Sequence, residues 1–375
     1  MSSLPSEHQH FMRHALVMAN MAVGITAPNP SVGCIIVKNG KVLAAAHTAN
    51  GGRPHAEAIA LAEAGSSAKG ATAYVTLEPC AHHGKTPPCA ESLINAGIKR
   101  VVIACLDPFL EVNGKGIKML EDAGIEVTTG VCIEEAKLIN EGFFSVVKSG
   151  RPFITLKTAT SLDGKIALKN GVSKWITGEE SRGYVHLMRA QHDAVITGIR
   201  TVMADDPQLT CRLPGMEAGS PVRVVLDTNL GLPTESQLAK TAINVPCWVI
   251  TLQESIEIQK EKVAILQALG VRLIAVRKAG NGKICMEDAM QQLGKLGVNS
   301  AMIEAGAAIN TAALNLGLVD RIAWFRAPMV IGNDGIAAFG DFGSREINEV
   351  FKFNLESRKH FGNDSLDILN KIRAT

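Results

Sequence analysis

One imidazole, two thiols and a carboxylate stand out by type and spacing: His55-Ala56-Glu57, then Cys80 and Cys89 within Pro79-Cys80-Ala81-His82-His83-Gly84-Lys85-Thr86-Pro87-Pro88-Cys89. Imidazole nitrogen and thiolate sulfur are donors zinc prefers, and three protein ligands leave a fourth position for the water that a catalytic site activates. Glu57 need not bind metal; beside such a site it can carry a proton. A closed structural site usually draws its cysteines from close pairs, whereas eight residues separate Cys80 from Cys89. His82 or His83 could complete a closed set, and a lone His or Cys is more often packed than ligating. The joint pattern nevertheless points to an open zinc site with His55, Cys80 and Cys89 as ligands.

The elements around these residues place them. Apolar positions from Phe11 to Val23 recur at helical spacing, with Ser6 as N-cap. Residues 32–37 and 41–44 flank Asn39-Gly40, the signature of a hairpin, and a Gly- and Asn-rich loop then delivers His55. Residues 55–64 read as an Ala-rich helix stopped by Gly65, residues 73–77 as a strand, and residues 89–96 as a helix closed by Gly97. Strand 100–105, helix 116–123 and strand 125–128 follow, and the alternation predicts a largely parallel, helix-covered sheet. His55 and Cys89 therefore open helices, where free N–H groups favour thiolates, and Glu57 in a first turn can reach the same point as His55. Gly114-Lys115-Gly116 lacks the full phosphate-loop spacing and reads as a turn before a helix.

Bulk properties narrow the partners. At 375 residues and 46% hydrophobic, the chain is long enough for two cores. A net charge of +2 with 4% aromatic residues supplies neither a basic field nor the stacking platform of a nucleic-acid binder. No apolar run reaches membrane-spanning length and the first residues carry no leader pattern, so a cytoplasmic location without membrane attachment is expected. Cys34, Cys105 and Cys247 sit in strand-like runs as small hydrophobes.

His55-Ala-Glu57 with Pro79-Cys80 and Cys89 resembles the cytidine-deaminase superfamily. Leu77-Glu-Pro-Cys80-Ala-His-His-Gly-Lys-Thr-Pro-Pro-Cys89 is similar, more closely, to the deaminase half of the bifunctional riboflavin-biosynthesis deaminase-reductases. The superfamily usually leaves two residues between its cysteines, and the longer insert is typical of the riboflavin branch. The resemblance implies one Zn2+ per chain, Glu57 as the catalytic proton shuttle, and loss of the ring 2-amino group from 2,5-diamino-6-ribosylamino-4(3H)-pyrimidinone 5′-phosphate. It assigns Asn29, His82 and Lys85 to this substrate. His47 lies eight residues before His55, one more than the family spacing, and stays outside the assigned set.

Turn-forming residues near Lys148-Ser-Gly-Arg-Pro152 suggest a boundary, giving domains 1–148 and 149–375. Beyond it, residues 152–157 read as a strand, Thr177-Gly-Glu-Glu180 as a capping box for a helix to about His192, and residues 257–269 as one helix. Further strands are expected at 194–197, 222–226, 246–251, 271–275 and 301–303, with a helix at 287–296 and another opened by Glu304-Ala-Gly306. Ser161-Leu-Asp-Gly-Lys165, Ser173-Lys-Trp-Ile-Thr177, Arg189-Ala-Gln191, residues 201–212 and Glu304-Ala-Gly306 match the reductase half of the same family in order. The implied fold is α/β throughout: an N-terminal cytidine-deaminase-like three-layer domain and a C-terminal dihydrofolate-reductase-like domain.

The reductase resemblance implies NADPH, lined by Ala159, Trp175, Thr201, Asp205, Thr228 and Gly306. It implies a substrate site of Ser173, Arg189, Leu209, Arg212 and Glu304, in which the two guanidiniums suit a ribose 5′-phosphate. Lys157 and Asp205 are the candidates for a proton donor, and Arg200 stands where a small residue is expected. The partners expected are a pyrimidine ribotide and further copies of the chain, with no nucleic acid. Two other readings compete: a nucleic-acid deaminase, which the composition disfavours, and a non-catalytic zinc module.

Overall fold

The structure, a computed structural model, describes residues 7–82, 87–109 and 113–372. Ser6, His83 and Lys85 lie outside the described residues. The chain divides into two compact units, Met1–Gly150 and Arg151–Thr375. No helix among the described residues is long and apolar enough to cross a membrane.

The first unit runs α1 (Glu7–Met21), β1 (Gly33–Lys38), β2 (Lys41–His47), α2 (Ala56–Ala64), β3 (Thr72–Leu77), α3 (Cys89–Asn95), β4 (Arg100–Cys105), α4 (Lys115–Asp122), β5 (Glu126–Thr129), α5 (Ile133–Ile139) and α6 (Glu141–Ser149). Asn39 and Gly40 both take positive φ, 51° and 71°, as a two-residue turn matched to strand twist requires. The five strands lie in the order β2-β1-β3-β4-β5. This corrects the expected largely parallel sheet: β1 is antiparallel to both neighbours, and only β3, β4 and β5 pair in parallel. A tight hairpin can return only antiparallel, so one hairpin makes the sheet mixed.

Two reversals leave β2 running the same way as β3 and β4. Their carboxyl ends share one edge of the sheet. Helices α1 and α5 pack on one face, and α2, α3 and α4 form a row on the other. That three-layer arrangement explains why β1 is buried on both sides rather than alternating.

The second unit runs β6 (Phe153–Thr160), β7 (Lys165–Ala167), α7 (Glu179–Ala190), β8 (Ala194–Gly198), α8 (Ile199–Asp205), β9 (Val222–Leu226), α9 (Gln237–Lys240), β10 (Cys247–Leu252), α10 (Gln253–Ile258), α11 (Lys260–Ala268), β11 (Arg272–Val276), α12 (Met286–Lys295), β12 (Ser300–Ile303), α13 (Ala307–Asn315), β13 (Arg321–Arg326), β14 (Ile336–Ala337), β15 (Phe353–Phe361) and β16 (Asp364–Lys371). Nine strands form one sheet, β11-β10-β9-β8-β12-β6-β13-β16-β15. It is parallel from β11 through β13, then antiparallel across the β16 and β15 hairpin. Side chains alternate between two cores. Ala194 and Ile196 join one with α12 and α13, while Val195, Val225 and Val249 join the other with α7 and α11.

Two expected helical features change. Residues 257–269 are not one helix: α10 and α11 meet at Gln259, which leaves helical geometry at φ −104°, ψ 45° and donates its amide to Asn229 O at 2.7 Å. Nor does Thr177 form a capping box. Gly178 is the N-cap of α7 and carries no side-chain cap. The acceptor comes instead from β16, where buried Asp364 Oδ2 takes the Gly178 N–H at 2.7 Å and the Ser181 hydroxyl at 2.6 Å.

Asp364→Ala would leave both donors without their acceptor, a loss of roughly 1–3 kcal/mol. The denaturant midpoint of the second unit is expected to fall, and to fall less in Asp364→Asn. A midpoint that stays at the wild-type value in Asp364→Ala would show that the cap contributes nothing.

Candidate functional site

His55 is the residue before the first turn of α2, and Cys89 is the first residue of α3. Cys80 follows β3. The loose N-terminus of α3 closes on that strand end, with Cys89 N–H donating to Cys80 Sγ at 3.3 Å and Ala90 N–H donating to Cys80 O at 3.2 Å. His55 Nδ1 lies 3.2 Å from Cys89 Sγ and 3.8 Å from Cys80 Sγ. One ligand atom from each of the three residues falls within 4.8 Å of the others. Zinc bonds of about 2.0–2.3 Å at tetrahedral angles place donor atoms about 3.5–3.8 Å apart, so this set fits zinc in both chemistry and spacing.

The charges support that fit. Cys89 as a hydrogen-bond donor lowers the Cys80 thiol to about 4, and Cys89 is correspondingly raised. The hydrogen bond to Cys80 also raises His55. Zinc takes thiolate and neutral imidazole, so its binding here would release any proton these three side chains share. Glu57, in the first turn of α2, is 3% exposed, and burial pushes it up to about 7. It shares a hydrogen bond with the Cys89 side chain, which places its carboxyl beside the three ligand atoms.

Sequence reasoning missed Glu78. This buried carboxylate accepts the N–H groups of Gly116 at 3.0 Å, Gly114 at 3.1 Å, Asp107 at 3.3 Å and Ile117 at 3.4 Å. The Gly-Lys-Gly stretch therefore does cradle an anion, and the anion is internal. Gly116 lets α4 press onto the next residue, since a Cβ there would stand 2.0 Å from Pro79 O. A charged residue ending a buried strand just before a ligand was the available signal.

Asn29 donates Nδ2–H to Gly52 O at 2.8 Å and so braces the loop leading to His55. Gly52 has φ 81°, and a Cβ there would lie 2.3 Å from Asn29 Nδ2, so both conformation and contact require glycine. His82 is exposed two residues beyond Cys80 and faces Asp107.

In the second unit β9, β8, β12 and β6 are adjacent and parallel, so their carboxyl ends form one continuous edge. Ala159 ends β6, Thr201 lies in α8 after β8, Thr228 follows β9, and Gly306 caps α13 after β12. That edge is where parallel sheets bind nucleotides. Gly306 has ordinary φ, and a Cβ there would meet nothing within 4 Å, so glycine leaves open space before the α13 N-terminus. Asp205 is exposed at the end of α8. Ser173 and Trp175 lie on the β7–α7 loop, where the exposed Trp175 ring lies 4.3 Å from the Arg182 guanidinium.

Glu304 concentrates the charge at this edge. Arg189 grips it with Nε at 2.7 Å and Nη2 at 3.0 Å, and Lys157 Nζ lies 3.5 Å away. Burial alone would raise Glu304, but the Arg189 and Lys157 charges overcome it and hold the carboxyl at about 2. The pair's contribution is present above the ordinary carboxylate pKa and is lost as pH falls toward 2. The fork of Arg189, expected from sequence to meet the substrate, here holds Glu304, with Nη1 donating to Thr210 O at 3.1 Å. Exposed Arg212 contacts Gln208 Oε1 at 3.3 Å and keeps donors for a ligand. Leu209 is buried at φ 54° in the loop between them.

Comparison with known proteins agrees with this division. Residues 5–105 match the cytidine and deoxycytidylate deaminase zinc-binding region, and residues 152–366 match the RibD C-terminal domain. The riboflavin biosynthesis protein RibD of Aquifex aeolicus is 43% identical over 356 residues, 95% of this chain and 96% of its own. A solved RibD from Acinetobacter baumannii superposes with a TM-score of 0.88 at 38% identity, covering 99% of this chain and 100% of its own. A diaminohydroxyphosphoribosylaminopyrimidine deaminase/5-amino-6-(5-phosphoribosylamino)uracil reductase from Thermotoga maritima superposes at 0.85 with 34% identity, covering 98% and 99%.

Glu78→Ala would strip the acceptor from four N–H groups beside Cys80, a loss of roughly 1–3 kcal/mol or more. The variant is expected to surrender zinc to a chelator faster than wild type, with Glu78→Gln in between. Equal rates of zinc loss in all three proteins would show that Glu78 does not steady the ligand turn.

Proposed function

The chain belongs to the RibD family of bifunctional riboflavin-biosynthesis deaminase-reductases, and on that premise we propose the substrates and the residues that act in each unit. The first unit deaminates 2,5-diamino-6-ribosylamino-4(3H)-pyrimidinone 5′-phosphate. The second reduces the ribosyl side chain of the product to ribityl, giving 5-amino-6-(5-phosphoribitylamino)uracil. The observation that carries this reading is the convergence of His55, Cys80 and Cys89 within 4.8 Å, with buried Glu57 beside them.

His55, Cys80 and Cys89 would hold zinc, which would supply the Lewis acidity that makes a water nucleophilic near neutral pH. Glu57 takes a proton from the attacking water as the water oxygen bonds to the ring carbon bearing the amine, and returns it to that amine, so that the carbon–nitrogen bond breaks, ammonia leaves and a carbonyl remains. Its burial keeps bulk water from competing for the proton. Asn29, held by Gly52, presents its amide to the pyrimidine, and His82 and Lys85 contact the rest of the ribotide.

NADPH supplies the hydride of the second reaction. Ala159, Trp175, Thr201, Asp205, Thr228 and Gly306 line its site, and Ser173, Leu209, Arg212 and Glu304 line that of the opened ribose. Arg212 meets the phosphate, while Arg189 orients Glu304. Lys157, fixed beside Glu304, gives its proton to the nitrogen of the reduced carbon–nitrogen bond. Exposed Asp205 lacks such a setting, which favours Lys157 for this role.

Glu57→Gln is expected to lower ammonia release by about 10²–10⁴-fold with zinc content retained, while NADPH oxidation on the deaminated intermediate persists. Loss of both activities in folded protein would contradict two separate sites. Arg212→Ala should raise the reductase KM roughly tenfold, the equivalent of one charge-assisted hydrogen bond, and leave zinc content alone. An unchanged KM would remove Arg212 from the substrate site.

A further inference from the structure

His186 lies one turn before Arg189 on α7 and is half-buried. Its Nδ1 is 3.0 Å from Thr210 O, 3.3 Å from the Arg212 backbone N and 3.4 Å from Arg189 Nη1. Two of these neighbours are N–H donors. The third, the Thr210 carbonyl, already accepts Arg189 Nη1–H at 3.1 Å. With a proton on Nδ1 the ring donates to Thr210 O, and with Nδ1 bare it accepts the Arg212 N–H; either state fastens residues 210–212 to α7.

The charges facing the ring are the Arg189 guanidinium on α7, the Arg212 guanidinium on the 206–212 loop and the Glu304 carboxylate after β12. Burial first, then the two guanidiniums, hold the imidazole below its ordinary pKa, against the Thr210 carbonyl and Glu304, which raise it.

Three further residues of that loop are tethered. Asp206 Oδ1 accepts Gln237 N–H at 2.8 Å, buried Arg223 donates to Gln208 O at 3.4 Å, and Ser220 Oγ accepts Cys211 N–H at 3.1 Å. The Arg212 N–H on His186 is the last of these tethers before the exposed residues 214–218.

We propose that His186 is the positioning residue for the phosphate end of the reductase pocket. By bonding residues 210–212 through Nδ1 it fixes where that arginine leaves the loop, and by meeting Arg189 Nη1 it locks the loop to the Arg189–Glu304 pair. The proposal rests on Arg212 being the phosphate partner. It assigns His186 no contact with the reacting atoms.

The test uses the full-length protein and follows NADPH oxidation with the phosphorylated aminouracil ribotide and with its dephosphorylated nucleoside. For the ribotide, His186→Phe should raise KM about tenfold, one hydrogen bond to a charged residue's backbone, and more than it lowers kcat. His186→Asn, whose Oδ1 can stand where Nδ1 stands, should return KM toward wild type. For the nucleoside the gap between His186→Phe and wild type should close. An unchanged denaturant midpoint of the second unit and an unchanged KM for NADPH report that the variants are intact there. An equal KM rise with and without phosphate, or no rise while Arg212→Ala loses phosphate discrimination, overturns the proposal. Wild type that fails to distinguish ribotide from nucleoside overturns the Arg212 reading and this one with it.

Discussion

Strands that run in one direction release their chain at one edge, and both units obey that constraint. In the first, two antiparallel reversals return β2 to the direction of β3 and β4, so the segments after them deliver His55, Glu78, Cys80 and Asp107 to the same edge. In the second, β9, β8, β12 and β6 do so with Thr228, Thr201, Glu304 and Ala159. Helices that begin at such an edge add unpaired N–H groups to it. The zinc ligands need this arrangement, because sequence positions 55, 80 and 89 can meet only if separate elements end together.

Those edges are held by carboxylates turned inward. Glu78 collects N–H groups from the loop after β4 and from the start of α4, and Glu304 binds Arg189 and Lys157. Each satisfies donors that would otherwise compete for substrate or water. A buried carboxylate without such partners would take up a proton or resist burial, so every one of them also specifies the loop it fastens.

The zinc triad and Glu57 were legible because ligand chemistry restricts both residue type and local spacing. Most helices and strands were legible from period and punctuation, as at Asn39-Gly40 and Gly65. What escaped depends on partners far along the chain. The Asp364 cap lies 186 positions from Gly178, the engaged fork of Arg189 meets Glu304 115 positions away, and the break at Gln259 coincides with a bond to Asn229. The mixed pairing of the first sheet also escaped, since periodicity records burial and not strand direction. His186 gave no signal in sequence, because a histidine on a helix reads as ordinary until the 206–212 loop is folded against it.

The bond from Asp364 to the start of α7 sets an order of events during synthesis. Residues 179–190 leave the ribosome long before residue 364 has been joined to the chain, so α7 emerges with its first N–H groups facing water. Its docking surface against β8 and β9 can form early, whereas its N-terminus waits for the β15–β16 hairpin. The helix that carries His186 and Arg189 is thus completed among the last steps of the second unit. A chain stalled before residue 364 would hold a reductase edge whose framework is present and whose charged centre is still loosely anchored.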